Sequence, residues 1–357
     1  MKRILIIGRA FPHVAHGYIN NDIEYLTQQA DVLVLSPNQP MAPWYSPVRC
    51  NYFRNKDQLL AQARQFKPDF IISWLLPNHH WARDVADALK IPFILKLHTP
   101  DYYRLYPGNR SIKKRIKEML ASCILSDRKL SDGYRISKRS LRRTISSKYF
   151  KGAFCIPAFK TSFSKYIPAN KLFDLTPRIF FDRFHDEHDN GRMILVLGSL
   201  IKRREGVSFI DDALKEISEP IDWYTIPTPG LILDDIQGVP ENFSAKKYVP
   251  NKDMATLYKQ YKALIVIADK TQFSRGLPLS VLEAQASGVC VIAPSLRPDF
   301  DEFVINGGGY LYNDASEIQA ILNLLPNDER RNMGFKHAKK FDIKGLVEEL
   351  SFAGLNL

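Results

Sequence analysis

The stretch FSRGLPLSVLEAQASGVCVIAP, from Phe273 to Pro294, is the most informative part of the sequence for its fold. It predicts a loop at Gly276-Leu277-Pro278, a short helix over residues 279–287 and a buried strand over residues 289–293. Pro278 suits the first turn of that helix, and Gly288 suits the position just past its end. The free backbone N–H groups at the start of such a helix form a binding site for an anion such as a diphosphate.

Glu283 lies within this predicted helix among the apolar residues Val281, Leu282, Ala284 and Ala286. A carboxylate in such surroundings needs hydrogen-bond donors nearby, and ribose hydroxyls would supply them. The competing interpretation is that Glu283 faces solvent and that the Gly-Leu-Pro sequence is only a turn.

The segment resembles the donor-binding site of glycosyltransferase family 4, whose motif reads approximately EG(F/L)(G/P)LxxLEAMAxGxPVIA. The resemblance continues downstream through RPDFDEFVINGGGYLY, where Glu302 matches an acid of the family, and upstream through YVPNKDMATLYKQYKALIVIA. It implies a retaining GT-B enzyme with a nucleotide diphosphate sugar as donor. It also implies an α/β fold of two Rossmann-like domains facing each other across a cleft, with the C-terminal helix returning to the N-terminal domain.

Along the 357 residues, short apolar runs alternate with helical segments, which is typical of parallel βαβ units. The predicted strands are residues 4–8, 32–36, 70–75, 93–98, 193–200, 222–226, 264–268 and 289–293. The predicted helices between them include residues 17–29, 56–66 and 253–261. The rhythm lapses in the polar, turn-rich residues 184–192 and restarts afterwards. We therefore predict an acceptor-binding domain over residues 1–165, a nucleotide-sugar-binding domain over residues 166–335 and a C-terminal helix over residues 336–357.

The N-terminal half carries weaker similarities to the family. Gly17 follows the first predicted strand, where the family usually has a pair of glycines near the donor phosphate and the acceptor. In LKLHTPDYY, His98 and Asp101 resemble the family's strand-end HxxD, so both side chains are expected to project into the cleft. Without the fold context, a lone histidine at a strand end is more often structural.

The chain also departs from the family pattern. Arg275 stands where the family has its first motif glutamate, which contacts the donor sugar. Ser199 replaces an arginine that neutralises the diphosphate, although Lys202, Arg203 and Arg204 crowd the same loop. Arginine can bind phosphate bidentately but cannot accept hydrogen bonds from sugar hydroxyls.

Two interpretations therefore stay open. One is an active enzyme whose catalytic residues are His98, Arg275 and Glu283. The other is a catalytically impaired homologue that acts as a binding or partner subunit. The predicted donor-binding residues are Gly17, Ser199, Lys202, Arg203, Arg204, Gly276, Leu277 and Glu283.

The net charge of +12 is concentrated in one region, because residues 104–151 hold 15 Lys or Arg against 3 acids. One predicted helix there carries Lys113, Lys114, Arg115 and Lys117 around an apolar stripe, and a second, over residues 137–147, carries Lys138, Arg139, Arg142 and Arg143. Together with Asp101, the first helix is predicted to form an acceptor or membrane patch. A solvated basic surface is the plainer interpretation. A nucleic-acid-binding protein that acts through residues 104–151 is a less favoured alternative, and nucleic acid is not the expected partner, because no recognisable binding motif accompanies these charges.

The four cysteines, Cys50, Cys123, Cys155 and Cys290, are widely spaced and indicate neither a disulfide framework nor a zinc ribbon. We expect a cytoplasmic protein, and peripheral attachment to the inner face of the membrane stays open as an alternative. The resemblance implies no metal and no other cofactor. The predicted function is retaining transfer of a sugar to a glycan or lipid-linked acceptor, in cell-surface polysaccharide or glycolipid synthesis.

Overall fold

The computed structural model describes residues 1–8, 11, 17–38, 48, 50–98, 101, 138–184, 193–198, 217–225, 241–246, 249–266 and 277–357. The chain divides into two compact units. Met1–Thr176 and Lys344–Leu357 form the first unit, and Pro177–Ile343 form the second. The first boundary lies later than the predicted residue 165, because the strand Leu172–Asp174 pairs with the sheet of the first unit.

The first unit is built on a seven-stranded parallel sheet of order β3-β2-β1-β4-β5-β6-β7. Its strands are β1 (Arg3–Ile7), β2 (Asp31–Ser36), β3 (Cys50–Tyr52), β4 (Phe70–Trp74), β5 (Phe93–Leu97), β6 (Phe150–Cys155) and β7 (Leu172–Asp174). The described helices of this unit before residue 177 are α1 (Gly17–Gln29), α2 (Lys56–Phe66), α3 (His79–Leu89), α4 (Lys138–Ile145) and α5 (Lys160–Phe163).

The central strands of this sheet are continuous apolar runs because helices cover both faces of a parallel sheet. Residues Ile4–Ile7 of β1 are fully buried, as are Ile94 and Leu95 of β5. Helix α2 begins where the Asn55 side chain accepts a hydrogen bond from the backbone N–H of Gln58, and it ends at Lys67 in the left-handed conformation. Both ends follow the capping signals of the sequence.

The second unit has a six-stranded parallel sheet of order β10-β9-β8-β11-β12-β13. Its strands are β8 (Met193–Gly198), β9 (Ile221–Thr225), β10 (Phe243–Lys246), β11 (Tyr261–Ile265), β12 (Cys290–Pro294) and β13 (Tyr310–Tyr312). Its described helices are α6 (Met254–Tyr258), α7 (Leu279–Ala286), α8 (Pro298–Asn306), α9 (Glu317–Leu322) and α10 (Asp328–Lys339). These two parallel α/β sheets confirm the predicted fold class.

The C-terminal segment returns to the first unit, as predicted, and its last helix is α11 (Leu346–Ser351). The predicted single helix over residues 336–357 is wrong in extent, because α10 ends at Lys339 and packs in the second unit. Glu349 of α11 forms an ion pair of 3.1 Å with Lys96 of β5, which also pairs with Asp22 of α1 at 2.6 Å. Burial disfavours the charged ammonium, but the two carboxylates outweigh it and raise the pKa of Lys96. This buried triad joins α1, β5 and α11.

Candidate functional site

The predicted donor segment forms a short helix after strand β11. Helix α7 begins at Leu279, as predicted, and Pro278 is its N-cap residue, with φ −75° and ψ 134°. Gly288 follows the helix with a left-handed φ of 68°, as the sequence indicates. Because the helix follows a parallel strand, its N-terminus lies at the carboxyl edge of the second sheet, where open α/β sheets bind ligands.

Glu283 is buried in the middle of α7, with 6% of the residue exposed. Its Oε2 atom accepts a hydrogen bond of 3.1 Å from the hydroxyl of Tyr258, a fully buried residue at the end of α6. Tyr258 also donates to the backbone oxygen of Ser280, at 3.3 Å, in the first turn of α7. The interpretation in which Glu283 faces solvent is therefore wrong.

The electrostatic state of this carboxyl follows from its burial. Burial raises the pKa of Glu283 to about 7, although the hydrogen bond from Tyr258 lowers it. Burial raises the pKa of Tyr258 well above its ordinary value, and the charge of the nearby Glu283 carboxylate raises it further, so the phenol remains a neutral donor. A ligand that donates hydrogen bonds to Glu283 favours its ionised form. Binding of such a ligand near neutral pH would release a proton.

Helix α7 packs against helix α10. Gln285 Oε1 lies 3.0 Å from Nδ1 of His337, and both residues are buried. Burial, and then Lys340, lowers the pKa of His337 to about 4, so the imidazole is neutral at neutral pH. The glycines 307–309 allow the close packing, because a Cβ on Gly307 would collide with the Gln285 side chain. This packing fixes the helix that carries Glu283.

In the first unit, an aromatic cluster lies at the carboxyl edge of the sheet. The imidazole of His98, which follows β5, stacks on the ring of Tyr18 with 3.7 Å between centroids and 22° between planes. The ring of Trp74, at the end of β4, lies 5.7 Å from His98 and 5.6 Å from Tyr18. Gly17, the half-buried first residue of α1, directly precedes Tyr18. The sheet therefore brings His98 and the start of α1 together.

Asp101 does not belong to an exposed patch, because the residue is fully buried. Its Oδ1 accepts a hydrogen bond of 2.9 Å from the backbone N–H of Leu76, and its Oδ2 accepts one of 2.8 Å from the backbone N–H of His98. The prediction that Asp101 contributes to an acceptor or membrane patch is corrected accordingly. A carboxylate with both oxygens bound to the backbone orders the strand ends.

Helix α4 confirms the second predicted basic helix. Its buried face is Ser140, Leu141 and Thr144, and its exposed face carries Lys138, Arg139, Arg142 and Arg143. Thr144 meets His79 of α3, with 2.8 Å between Oγ1 and Nδ1, so the helix is anchored on the first unit. Across the part of the chain that the structure describes, no helix is long and apolar enough to cross a bilayer.

Several predicted site residues lie outside the described residues: Ser199, Lys202, Arg203, Arg204, Arg275, Gly276, Lys113, Lys114, Arg115 and Lys117. Leu277 is described and half-buried just before α7. Glu302, which resembles a family acid, is exposed on α8.

Comparison with known proteins agrees with this arrangement. Residues 191–327 match the family described as "Glycosyl transferases group 1". The matched residues lie within the second unit, which is therefore similar to a group 1 glycosyl transferase domain. No curated protein sequence matches the chain.

Solved structures extend the similarity of fold to the whole chain. HepE from Anabaena, solved with UDP and glucose, is 12% identical with a TM-score of 0.69 over 98% of both chains. Sucrose-phosphate synthase from Thermosynechococcus elongatus is 12% identical with a TM-score of 0.62 over 98% of both chains. The lipopolysaccharide outer core galactosyltransferase WaaB is 13% identical with a TM-score of 0.60, over 98% of this chain and 99% of its own. The GT-B fold class is thereby confirmed.

Two contacts around the candidate site in the second unit were not predicted from the sequence. Tyr258 lies in the predicted helix over residues 253–261, but the sequence indicates no role for it. The hydroxyl donors expected near Glu283 were those of a ribose, and the structure adds the hydroxyl of Tyr258. The pairing of Gln285 with His337 was also missed, because residues 52 positions apart share no local pattern. The three consecutive glycines before β13, residues 307–309, were the sequence signal for this packing, since glycines mark places where another backbone approaches closely.

Proposed function

We propose that this protein transfers a sugar from a nucleotide diphosphate sugar to a glycan or lipid-linked acceptor, with retention of configuration. The observation that carries the proposal is Glu283, a buried carboxyl on the helix at the carboxyl edge of the second sheet. Its Oε2 accepts a hydrogen bond from the neutral hydroxyl of Tyr258, and within the described part of the chain no ion pair joins it to a cation. Such a carboxyl suits two vicinal hydroxyls, as a ribose presents them.

We further propose which residues hold the donor. Glu283 binds the ribose, while the backbone at Gly276 and Leu277, together with Arg275, binds the diphosphate. Lys202, Arg203 and Arg204 supply further positive charge in place of the family arginine at Ser199. The cationic groups stabilise charge that develops on the leaving diphosphate, and such electrostatic stabilisation is usually the largest single contribution to enzymatic catalysis. The resemblance to the family is the support for these roles.

His98 is proposed to take part in the transfer step, with Gly17 beside it at the start of α1. The support is the ordered cluster that His98 forms with Tyr18 and Trp74 at a ligand-binding sheet edge. No protein nucleophile, metal or other cofactor is proposed, in keeping with the family resemblance. A UDP-sugar is the first donor to test, because HepE was solved with UDP-glucose.

Turnover of nucleotide sugars tests this proposal. Wild-type protein is incubated with UDP- and GDP-sugars, and release of UDP or GDP is measured with and without glycan or glycolipid acceptors. Release is expected with at least one donor and should fall on the order of a hundredfold or more in Glu283→Ala. Glu317→Gln, an exposed carboxylate of α9, is the matched control and should keep wild-type activity. Nucleotide binding without turnover would instead support the catalytically impaired partner subunit.

We also propose that the exposed face of α4 binds an anionic membrane surface. Its four basic side chains have no acid between residues 138 and 151, and anionic lipids attract such residues by about 1 kcal/mol each. This attachment would serve a lipid-linked acceptor and a role in cell-surface polysaccharide or glycolipid synthesis, on the inner face of the membrane.

Sedimentation with lipid vesicles tests the membrane proposal. Binding is expected to vesicles that contain about a third phosphatidylserine and not to pure phosphatidylcholine, and it should weaken as salt rises. Replacement of Arg139, Arg142 and Arg143 by Gln should abolish it while leaving nucleotide-sugar turnover in solution unchanged. Equal binding of the variant to anionic vesicles would contradict the assignment of this face.

A further inference from the structure

The connection between strands β4 and β5 at the aromatic cluster has an unusual backbone. Leu75, which follows β4, has φ 66° and ψ 139°, a conformation that a residue with a side chain adopts only under constraint. Its N–H donates to the carbonyl of Lys96 on β5, at 2.9 Å. The Leu75 side chain is buried, so this conformation is part of the packed structure.

Asp101 supplies the constraint on both sides of this connection. One carboxylate oxygen accepts the N–H of Leu76, directly after the constrained Leu75, and the other accepts the N–H of His98. The N–H of Asp101 in turn donates to the carbonyl of His98, at 2.8 Å. Hydrogen bonds to an ionised acceptor are stronger than neutral ones, especially where water is excluded. A single side chain therefore ties the ends of two neighbouring strands.

The position of the His98 ring depends on this tie. The backbone of His98 is held from both its N–H and its carbonyl, so its side chain leaves the strand end in a fixed direction. That direction places the imidazole against Tyr18 at stacking distance. Trp74 is fixed from the other strand, since the side-chain amide of Asn78 donates to its carbonyl at 2.6 Å.

We propose that Asp101 is a positioning residue that sets the His98 imidazole for the transfer step. The proposal rests on the role given to His98 in the proposed function. It assigns to Asp101 no contact with donor or acceptor, since the carboxylate is buried and both of its oxygens accept backbone hydrogen bonds.

The test uses the full-length Asp101→Asn variant. Asparagine keeps the shape but offers one acceptor oxygen, so its NH₂ group faces a backbone N–H. Asp69→Asn is the matched control, because Asp69 accepts the N–H of Arg3 at 2.8 Å at the opposite edge of the same sheet. The first readout is the proton NMR spectrum of the His98 ring, whose signals are displaced by the stacked Tyr18. The second is kcat and KM for the donor.

We expect Asp101→Asn to move the His98 signals and to lower kcat tenfold to a hundredfold, with donor KM within about twofold. In the His98→Ala background the same substitution should leave kcat unchanged, because the residue acts through His98. Asp69→Asn should move neither readout. Unmoved His98 signals, or an equal loss of kcat in the His98→Ala background, would overturn the proposal.

Two further outcomes are decisive. If Asp101→Asn does not fold, hydrogen exchange on the wild-type protein decides, since strong protection of the Leu76 and His98 amides is required and rapid exchange refutes the tie. If wild-type protein shows no turnover, the proposed function fails, and the NMR comparison alone judges whether Asp101 positions His98.

Discussion

Replacement of Glu283 by Gln changes how the stability of the protein depends on pH. Glutamine is close in shape to the protonated acid and can still accept the hydrogen bond from Tyr258, but it cannot ionise. In the wild type, the folded state holds its proton up to about pH 7, whereas the unfolded chain loses it at the ordinary value of 4.5. The stabilising effect of the protonated form is therefore complete below about pH 4.5. It declines as the pH rises towards 7 and is absent above that.

The size of the effect follows from the difference between the two pKa values. One pKa unit corresponds to about 1.4 kcal/mol, so the wild type should lose about 2–3 kcal/mol relative to Glu283→Gln between about pH 5 and pH 8. Glu283 is almost wholly buried, so solvent screening reduces this value little. Tyr258→Phe removes the hydrogen bond that lowers the pKa and should therefore enlarge the loss.

Urea unfolding of the two proteins, followed by fluorescence and circular dichroism at about half-unit steps of pH, measures this difference. The variant should match the wild type near pH 5 and exceed it in stability near pH 8. A stability difference that stays constant with pH would refute the reasoning, because it would mean that Glu283 does not titrate in this range.

Three further predictions concern other parts of the chain. Lys96→Met leaves two buried carboxylates without their cation and should lower the free energy of unfolding, measured by urea titration, by about 3–5 kcal/mol. Lys160→Met removes an exposed ion pair and should cost at most about 1 kcal/mol. Gly308→Ala should reduce the thermal midpoint far more than Gly354→Ala, because both have positive φ but only at Gly308 does the added carbon meet the backbone of α10. Donor turnover should persist in excess EDTA, and its complete loss with recovery on adding Mg²⁺ would contradict the metal-free proposal.

The fold was predictable wherever an element is amphipathic or bounded by a cap. Helices α1 and α2 have the predicted limits, Gly17–Gln29 and Lys56–Phe66. Five strands were missed. Strands β3, β7 and β13 have three residues each and lie at the edges of their sheets, and β6 and β10 contain lysine together with glycine or serine, so none of the five carries a continuous apolar run. The predicted helix over residues 253–261 runs too far, since Tyr261 begins β11 and its buried hydroxyl donates to Asp222 at 2.8 Å.

The candidate site was predictable to a different degree in each unit. The motif around Glu283 indicates the helix, the cap glycine and the buried carboxyl, because all three lie within one short segment. Asp101 was misassigned because a sequence cannot distinguish a carboxylate that faces a ligand from one that binds backbone N–H groups of a neighbouring strand. The Leu76 amide that it binds is 25 residues away along the chain.

Calorimetric titration with UDP and GDP tests the central claim most directly, because it asks whether the second unit binds the nucleotide through Glu283. The account predicts saturable binding of one of the two to the wild-type protein. Affinity should rise with pH up to about 7 as the carboxyl ionises, and should fall at least tenfold in Glu283→Gln. Equal affinity of wild type and Glu283→Gln, or no binding of either nucleotide, would contradict it.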